Sequence, residues 1–117
     1  DHHQQLTTVY DLLKLTKHTM KYKEIREIVS IAEKDVTAVT GETFNWKNSN
    51  RLIHEESDYY CPYAVGTKTG STVNAGNCLI SQFYVNATEY IIIVTGCPTD
   101  ESRVEETLKL FDEFCMN

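Results

Sequence analysis

The segment GTKTGSTVNAG, from Gly66 to Gly76, holds the residues most suited to chemistry. Lys68 stands between two threonines in it, with glycines on both sides and an apolar run close behind. Two interpretations compete: a plain strand end with a turn, or one wall of an active site whose other walls lie elsewhere. A bare Lys-Thr-Gly arises by chance on the order of once in twenty chains of this length, from average residue usage. The tripeptide alone therefore does not decide.

Cysteine chemistry is the next candidate. The four cysteines are widely spaced and form no Cys-x-x-Cys pair, so a zinc site is not expected. Cys78 and Cys115 lie in apolar patterns and are predicted to be buried thiols. Cys61 and Cys97 each precede a proline, and a bridge between them is considered, but free thiols are preferred. The chain is predicted to hold no metal and no cofactor.

Histidines, paired glutamates and aromatic residues complete the candidates. The histidines have too few identifiable partners for a metal site, and the glutamate pairs are expected to be solvated. The aromatic residues could line a glycan groove, but packing is their commoner role. These residues are His2-His3, His18, His54, Glu55-Glu56, Glu105-Glu106, Trp46, Tyr59, Tyr60 and Tyr63.

Apolar spacing predicts two helices ahead of the Lys68 segment. Thr8 to Asp11 fits a capping box at the start of the first helix, with Asp in place of Glu. The second helix is predicted over residues 23–29. The residues expected to face inward are Val9, Leu12, Leu13, Thr16 and Met20 in the first helix, and Ile25, Ile28 and Val29 in the second.

The period then changes to that of strands. A Val-, Thr- and aromatic-rich pair of segments flanks Thr40-Gly41 and predicts a hairpin. The run Tyr90 to Val94 is apolar on both faces, which is typical of an interior strand. A tight link before it predicts that the last two strands are antiparallel neighbours. The predicted ranges are 35–39 and 42–46 for the hairpin, 45–50 for a polar loop, 64–69, 77–85 and 90–95 for three strands, and 86–89 for the link.

A final helix is predicted to begin at a cap on Thr99 or Asp100. Four apolar residues follow at helical spacing: Val104, Leu108, Phe111 and Cys115. The sequence therefore predicts an α+β fold, in which an antiparallel three-strand meander and a hairpin pack with helices.

Composition sets the outer limits. The chain has 117 residues, 41% hydrophobic and 24% charged, with a net charge of −6. Such an acidic chain without a basic stripe is a poor candidate for binding nucleic acid or an anionic membrane. No apolar run approaches the roughly 20 residues of a membrane-spanning helix. A chain of this length is one domain at most. Since it starts at Asp1, we interpret it as a processed protein or a piece of a larger one.

Five blocks, in order, resemble the serine-type D-alanyl-D-alanine carboxypeptidases, the low-molecular-mass penicillin-binding proteins. The third is similar to the family's Asn-x-Asn-x-Leu segment, and the fourth to its Lys-Thr-Gly-x-Thr-x-x-Ala-Gly-x-x-Leu block. The blocks cover essentially the whole chain: TTVYDLLKLTKH, YKEIREIVS, FNWKNSNRLI, GTKTGSTVNAGNCLIS and SRVEETLKLFDEF.

The chain departs from the family pattern in what it lacks. The family needs Ser-x-x-Lys, which carries the nucleophile, and Ser-x-Asn, besides Lys-Thr-Gly. No serine of this sequence is followed by Lys three residues on or by Asn two residues on. We therefore interpret residues 1–117 as a single partial domain, the C-terminal half of the catalytic domain, with no catalytic nucleophile and no activity of its own.

The resemblance implies a role for each residue of the Lys-Thr-Gly block. The terminal carboxylate of a D-Ala-D-Ala peptide is held by the Lys68 ammonium and the Thr69 hydroxyl through charge-assisted hydrogen bonds. Gly70 lets the substrate lie against the strand like an added β-strand. The backbone N–H of Ser71 is an oxyanion donor, and Thr72 belongs to the substrate-binding set.

The resemblance also implies partners and a location. The full domain binds peptidoglycan stem peptides and β-lactams, outside the cytoplasm. The N-terminal half of the domain, or a second copy, covers the edge from Tyr90 to Thr95. Two rivals stay open: a β-lactamase-type hydrolase that shares Lys-Thr-Gly, and a non-catalytic binding or assembly module with the same half-fold.

Overall fold

A computed structural model describes residues 1–116. The fold is α+β, as predicted, with a two-stranded and a three-stranded antiparallel sheet. None of the helices in this range is long and apolar enough to cross a lipid bilayer. The elements are α1 (Val9–Thr19), α2 (Lys23–Val29), β1 (Glu33–Thr37), β2 (Thr43–Lys47), a 3₁₀ turn (Arg51–Ile53), β3 (Ala64–Thr72), β4 (Gly76–Val85), β5 (Thr88–Cys97) and α3 (Asp100–Cys115).

The three-stranded sheet has the order β3-β4-β5 and lies between helices. On one face, Phe83 of β4 stacks on Phe111 of α3, with 4.4 Å between ring centroids. Ile91 points to the other face, where it lines a cavity together with Met20 at the end of α1. The inward face predicted for α3 is confirmed, since Val104, Phe111 and Cys115 are buried and Leu108 packs on the same core.

Both N-terminal helices form where predicted. Thr8 caps α1 by accepting from the N–H of Asp11 at 3.1 Å. Two of the residues predicted to face inward are exposed instead. Val9 lies in the first turn of α1, beside a cavity formed with the N-terminal segment and not on the sheet. Ile28 is 67% exposed because the short helix α2 approaches β3 through its neighbour Val29.

The hairpin β1–β2 is confirmed, with Val36 opposite Phe44. Its second strand continues to Lys47, so part of the predicted loop is strand. The strand β3 extends to Thr72, three residues further than predicted. Lys68, Thr69 and Gly70 therefore lie inside the strand, and the turn follows at residues 73–75.

The apolar strand β5 pairs only with β4 among the described residues. The prediction of an interior strand is therefore wrong for this chain, and the expected open edge is present. Its apolar residues are accounted for by the helices, because α1 covers one face and α3 the other. The tight link is confirmed as a two-residue turn, Asn86-Ala87, with φ of 49° and 64°, which are the positive angles of a type I′ hairpin turn.

All four cysteines are free, as preferred from the sequence. Cys61 and Cys115 belong to the buried core, and burial raises the pKa of both thiols. Cys78 is only half-buried, because it borders a cavity beside the β3–β4 turn. Cys61 and Cys115 are thus packing residues of the core.

Candidate active-site strand

The strand β3 is an edge strand, hydrogen-bonded to β4 on one side only within residues 1–116. Lys68 lies opposite Ile80, and Thr69 lies opposite the buried Leu79. Since successive side chains of a strand point to opposite faces, Lys68 and Gly70 project to one face and Thr69 and Ser71 to the face of α3. An extended ligand at the open edge would lie between these two sets of groups.

Lys68 is exposed, and its ammonium donates to the carbonyl oxygen of its neighbour Thr69. None of the ion pairs found within the described part of the chain involves it. The Lys68 side chain thus lies at a sheet edge and has no carboxylate partner among residues 1–116. Such a cation is suited to binding an anion from outside.

Thr69 is only 9% exposed. Its Oγ1 lies 2.5 Å from Oγ of Ser49, which belongs to the loop between β2 and the 3₁₀ turn. This loop is the Asn-x-Asn segment of the sequence, so two separate blocks meet at one pair of hydroxyls. The sequence reading did not assign Ser49 a role. The sequence feature that could have indicated such a role is the position of Ser49 inside the family block FNWKNSNRLI.

Gly70 has open space where a side chain would project, because a Cβ built there meets no atom within 4 Å. The folded chain therefore does not need glycine at this position for packing. Its φ is not positive either, so no backbone strain demands glycine. The open space at Gly70 would allow the backbone of a ligand to approach the strand closely.

Arg103, a residue of α3, connects this helix to β3 and β4. This side chain is 6% exposed, and its Nη1 donates to Gly70 O at 3.1 Å, Cys78 O at 3.2 Å and Ser71 Oγ at 3.2 Å. Its Nη2 pairs with Asp100. The sequence reading missed Arg103. A charged residue directly beside Val104, on the inward side of an amphipathic helix, was the available signal.

A chain of polar contacts continues from this arginine along the start of α3. Asp100 also accepts from Arg51 at 3.2 Å. The Arg51 guanidinium lies 4.6 Å from the ring centre of Tyr59, whose hydroxyl donates to Glu105 at 3.1 Å. That hydrogen bond is the main cause that raises the pKa of Tyr59. Tyr59 therefore serves to connect the 3₁₀ region to α3.

The last two predicted site residues already have partners within the chain. The Ser71 hydroxyl donates to Oδ1 of Asn77 at 2.5 Å, which leaves its backbone as the group relevant to the prediction. Thr72 Oγ1 accepts from the N–H of Ala75 at 3.0 Å, so this hydroxyl shapes the β3–β4 turn. At the end of that turn Gly76 has φ of 69° and lies against Gly96 and Cys97.

The histidines do not join this site. His2 and His3 are exposed, with ring centroids 4.7 Å apart, and border a cavity of about 490 Å³ next to the β3–β4 turn. His54 lies in a loop, as expected, where its Nε2 is 2.6 Å from Asn48 O. Over residues 1–116 no group of three or more His, Cys, Asp or Glu could hold a metal ion.

Comparison with known proteins shows which family the chain resembles. Residues 1–99 match the family model described as D-alanyl-D-alanine carboxypeptidase. A D-alanyl-D-alanine carboxypeptidase of Bacillus subtilis, DacF, is 28% identical over 106 residues, which is 91% of this chain and 26% of that protein. The chain thus spans about a quarter of this relative's length.

Solved structures share the fold. A mutant of a Streptomyces DD-transpeptidase superposes with a TM-score of 0.83 at 23% identity, over 96% of this chain and 43% of that one. A penicillin-binding protein of Listeria monocytogenes, solved with cefotaxime bound, superposes with a TM-score of 0.75 at 28% identity, over the same shares of 96% and 43%. This chain therefore superposes on a little under half of each of these two longer chains.

The family model covers residues 1–99, far more than half of the sequence. The chain belongs to the D-alanyl-D-alanine carboxypeptidase family.

Proposed function

We propose that this chain is part of a serine-type D-Ala-D-Ala carboxypeptidase that removes the terminal D-Ala from peptidoglycan stem peptides. The observation that carries the proposal is the open edge of β3 in a chain of this family. At this edge Lys68 has no carboxylate partner among the described residues, and Gly70, two residues further on, has free space beside it. The nucleophile would come from a part of the protein outside these 117 residues.

The reaction would proceed through an acyl-serine intermediate. The serine oxygen attacks the carbonyl carbon of the penultimate D-Ala, the peptide C–N bond breaks, and the terminal D-Ala leaves as the protonated amine. Water then hydrolyses the ester and restores the serine. In this scheme Ser71 N–H donates to the oxyanion that forms at the attacked carbonyl.

Substrate binding would fall to the other residues of the block. Lys68 and Thr69 would bind the terminal carboxylate, and Gly70 would allow the peptide to lie along the edge of β3. Thr72, the last residue of β3, would belong to the same substrate-binding set, while its hydroxyl accepts from the N–H of Ala75. The absence of any other anion partner for Lys68 in the described residues supports the first of these roles.

Partners and location follow from the same proposal. The Listeria relative was solved with cefotaxime and with ampicillin, which supports β-lactam binding by the full domain here. Peptidoglycan stem peptides lie outside the cytoplasm, so the protein would be secreted or act in the bacterial cell envelope. The remaining half of the domain would cover the open edge of β5.

Lys68→Ala in the complete protein tests the proposal. We expect D-Ala release from a D-Ala-D-Ala peptide and acylation by labelled penicillin both to fall, because an anion contact worth about 2–4 kcal/mol is lost, by analogy with a removed oxyanion donor. Lys109→Ala, on the exposed side of α3, is the matched control and should leave both rates unchanged.

The isolated 117-residue chain should form no penicillin adduct in the same assay, because it lacks Ser-x-x-Lys. Stoichiometric labelling of this chain alone, or unchanged kinetics in Lys68→Ala, would contradict the proposed assignment.

A further inference from the structure

We propose that Ser49 is a positioning residue for the carboxylate site, because its hydroxyl sets the direction in which Thr69 donates. The inference rests on the proposed function and adds to it a residue outside the Lys-Thr-Gly block. The observation is the 2.5 Å contact between Ser49 Oγ and Thr69 Oγ1, which joins the Asn-x-Asn loop to β3.

The two hydroxyls can share their hydrogens in two ways. If Thr69 donates to Ser49, its single proton is used inside the chain and its oxygen meets a carboxylate with no hydrogen to offer. If Ser49 donates to Thr69, the Thr69 proton is free for an outside acceptor. A carboxylate accepts hydrogen bonds and donates none, so its binding requires the second arrangement.

Ser49 is held in place by its neighbours in the chain. The Asn48 amide donates to Val29 O and Ile31 O, both at 3.2 Å. The fully buried Asn50 accepts from the N–H of Leu52 at 3.1 Å and so caps the 3₁₀ turn. A residue fixed on both sides by buried or half-buried amides presents its hydroxyl to β3 at one defined place.

Thr69 itself has little freedom. At 9% exposure on the α3 face of the strand, its oxygen has no hydrogen-bond partner besides Ser49 in the described structure. Donation from Ser49 also polarises the Thr69 hydroxyl, since hydrogen bonds in a chain strengthen one another. The arrangement therefore supplies both the direction and part of the strength of the contact to the substrate anion.

The experiment compares two substrates in the complete protein: a D-Ala-D-Ala peptide with a free carboxylate, and the same peptide ending in a carboxamide. Ser49→Ala should lower kcat/KM for the acid about 3- to 10-fold, the range of one hydrogen bond, and leave kcat/KM for the amide unchanged. Ser49→Thr, which keeps the hydroxyl, should restore the acid value. Ser30→Ala, an exposed serine of another segment, is the control.

A second measurement uses Thr69→Val, which removes the intermediary. In the Thr69→Val protein, the additional change Ser49→Ala should cause no further loss of kcat/KM for the acid substrate. The thermal unfolding midpoint of each variant should stay at the value of the unchanged protein. A purely structural role would instead lower the rates for acid and amide equally, and that result overturns the inference.

Unchanged acid kinetics in Ser49→Ala also overturn it. If Lys68→Ala still lowers activity in that case, the proposed function stands and only the role of Ser49 is lost. If Lys68→Ala is without effect too, the carboxylate site itself is wrongly placed.

Discussion

Arg103 is the residue on which the geometry of the site strand depends most. One guanidinium nitrogen serves two carbonyl oxygens and a hydroxyl, and the other pairs with Asp100. Arginine suits this place because its planar group donates in several directions at once. These contacts hold Gly70 and Ser71 of β3 against α3. The edge of β3 that does not pair with β4 stays open within residues 1–116.

We predict that Arg103→Met lowers the free energy of unfolding by about 2–3 kcal/mol, since hydrogen bonds to a charged group are lost and buried acceptors remain. Arg51→Met is the matched control, because it pairs with the same Asp100 from a more exposed position and should cost about 0.5–1 kcal/mol. Urea unfolding followed by circular dichroism measures both. A loss at Arg51 equal to or larger than the loss at Arg103 would show that the buried contacts contribute little.

At the scale of elements, β3 contains two glycines with opposite requirements. Gly66 has φ of 150°, and a Cβ there would lie 2.8 Å from Cγ2 and 2.9 Å from O of Val29, at the end of α2. Gly70, four residues on, faces empty space. The first glycine thus lets a helix pack on the strand, and the second leaves open space beside the strand, where we propose that the substrate lies.

This contrast predicts a separation of stability from function in the complete protein. Gly66→Ala should lower the free energy of unfolding by about 1–3 kcal/mol, the cost of overpacking. Gly70→Ala should leave stability nearly unchanged but raise KM for the peptide substrate, because a methyl group then stands where the substrate backbone approaches. Thermal unfolding and steady-state kinetics on both variants check this. The prediction fails if Gly70→Ala unfolds as easily as Gly66→Ala.

At the scale of the whole molecule, the dominant feature is the open edge of β5. Its residues are apolar on both faces, and a cavity of about 300 Å³ runs beside it, bordered by Leu110 and Phe114 of α3. Phe114 is 65% exposed. An unpaired, apolar strand edge is a site for pairing with another chain, which agrees with the proposal that a further half of the domain covers it.

We therefore expect the isolated chain to self-associate at micromolar concentration, unless the other half is supplied separately. Sedimentation velocity measures the mass of the particles. Ile93→Lys places a charge on the edge strand and should shift the distribution toward monomer while circular dichroism stays unchanged. A well-folded, strictly monomeric wild-type chain whose β5 amides exchange quickly with solvent would refute this expectation.

The sequence by itself determined the elements and the family. Helical and strand periods are local properties, so α2 (Lys23–Val29) matched its predicted range fully, and α3 was found with its cap and its buried face. The five family blocks identified the Lys-Thr-Gly strand because motif residues and their order are written directly in the chain. The same local reasoning failed at Val9 and Ile28, where exposure depends on how far a neighbouring element reaches.

Only the tertiary structure decided which of these elements meet. The contact of Ser49 with Thr69 spans 20 residues and that of Arg103 with Gly70 spans 33, and no local pattern encodes such pairs. The position of β5 at an edge could likewise not be predicted from its apolar run, because an edge strand that contacts helices, as β5 contacts α1 and α3, is also apolar. The surroundings of β3 were thus determined by long-range packing, because the periodicity of a single segment carries no information about its distant neighbours.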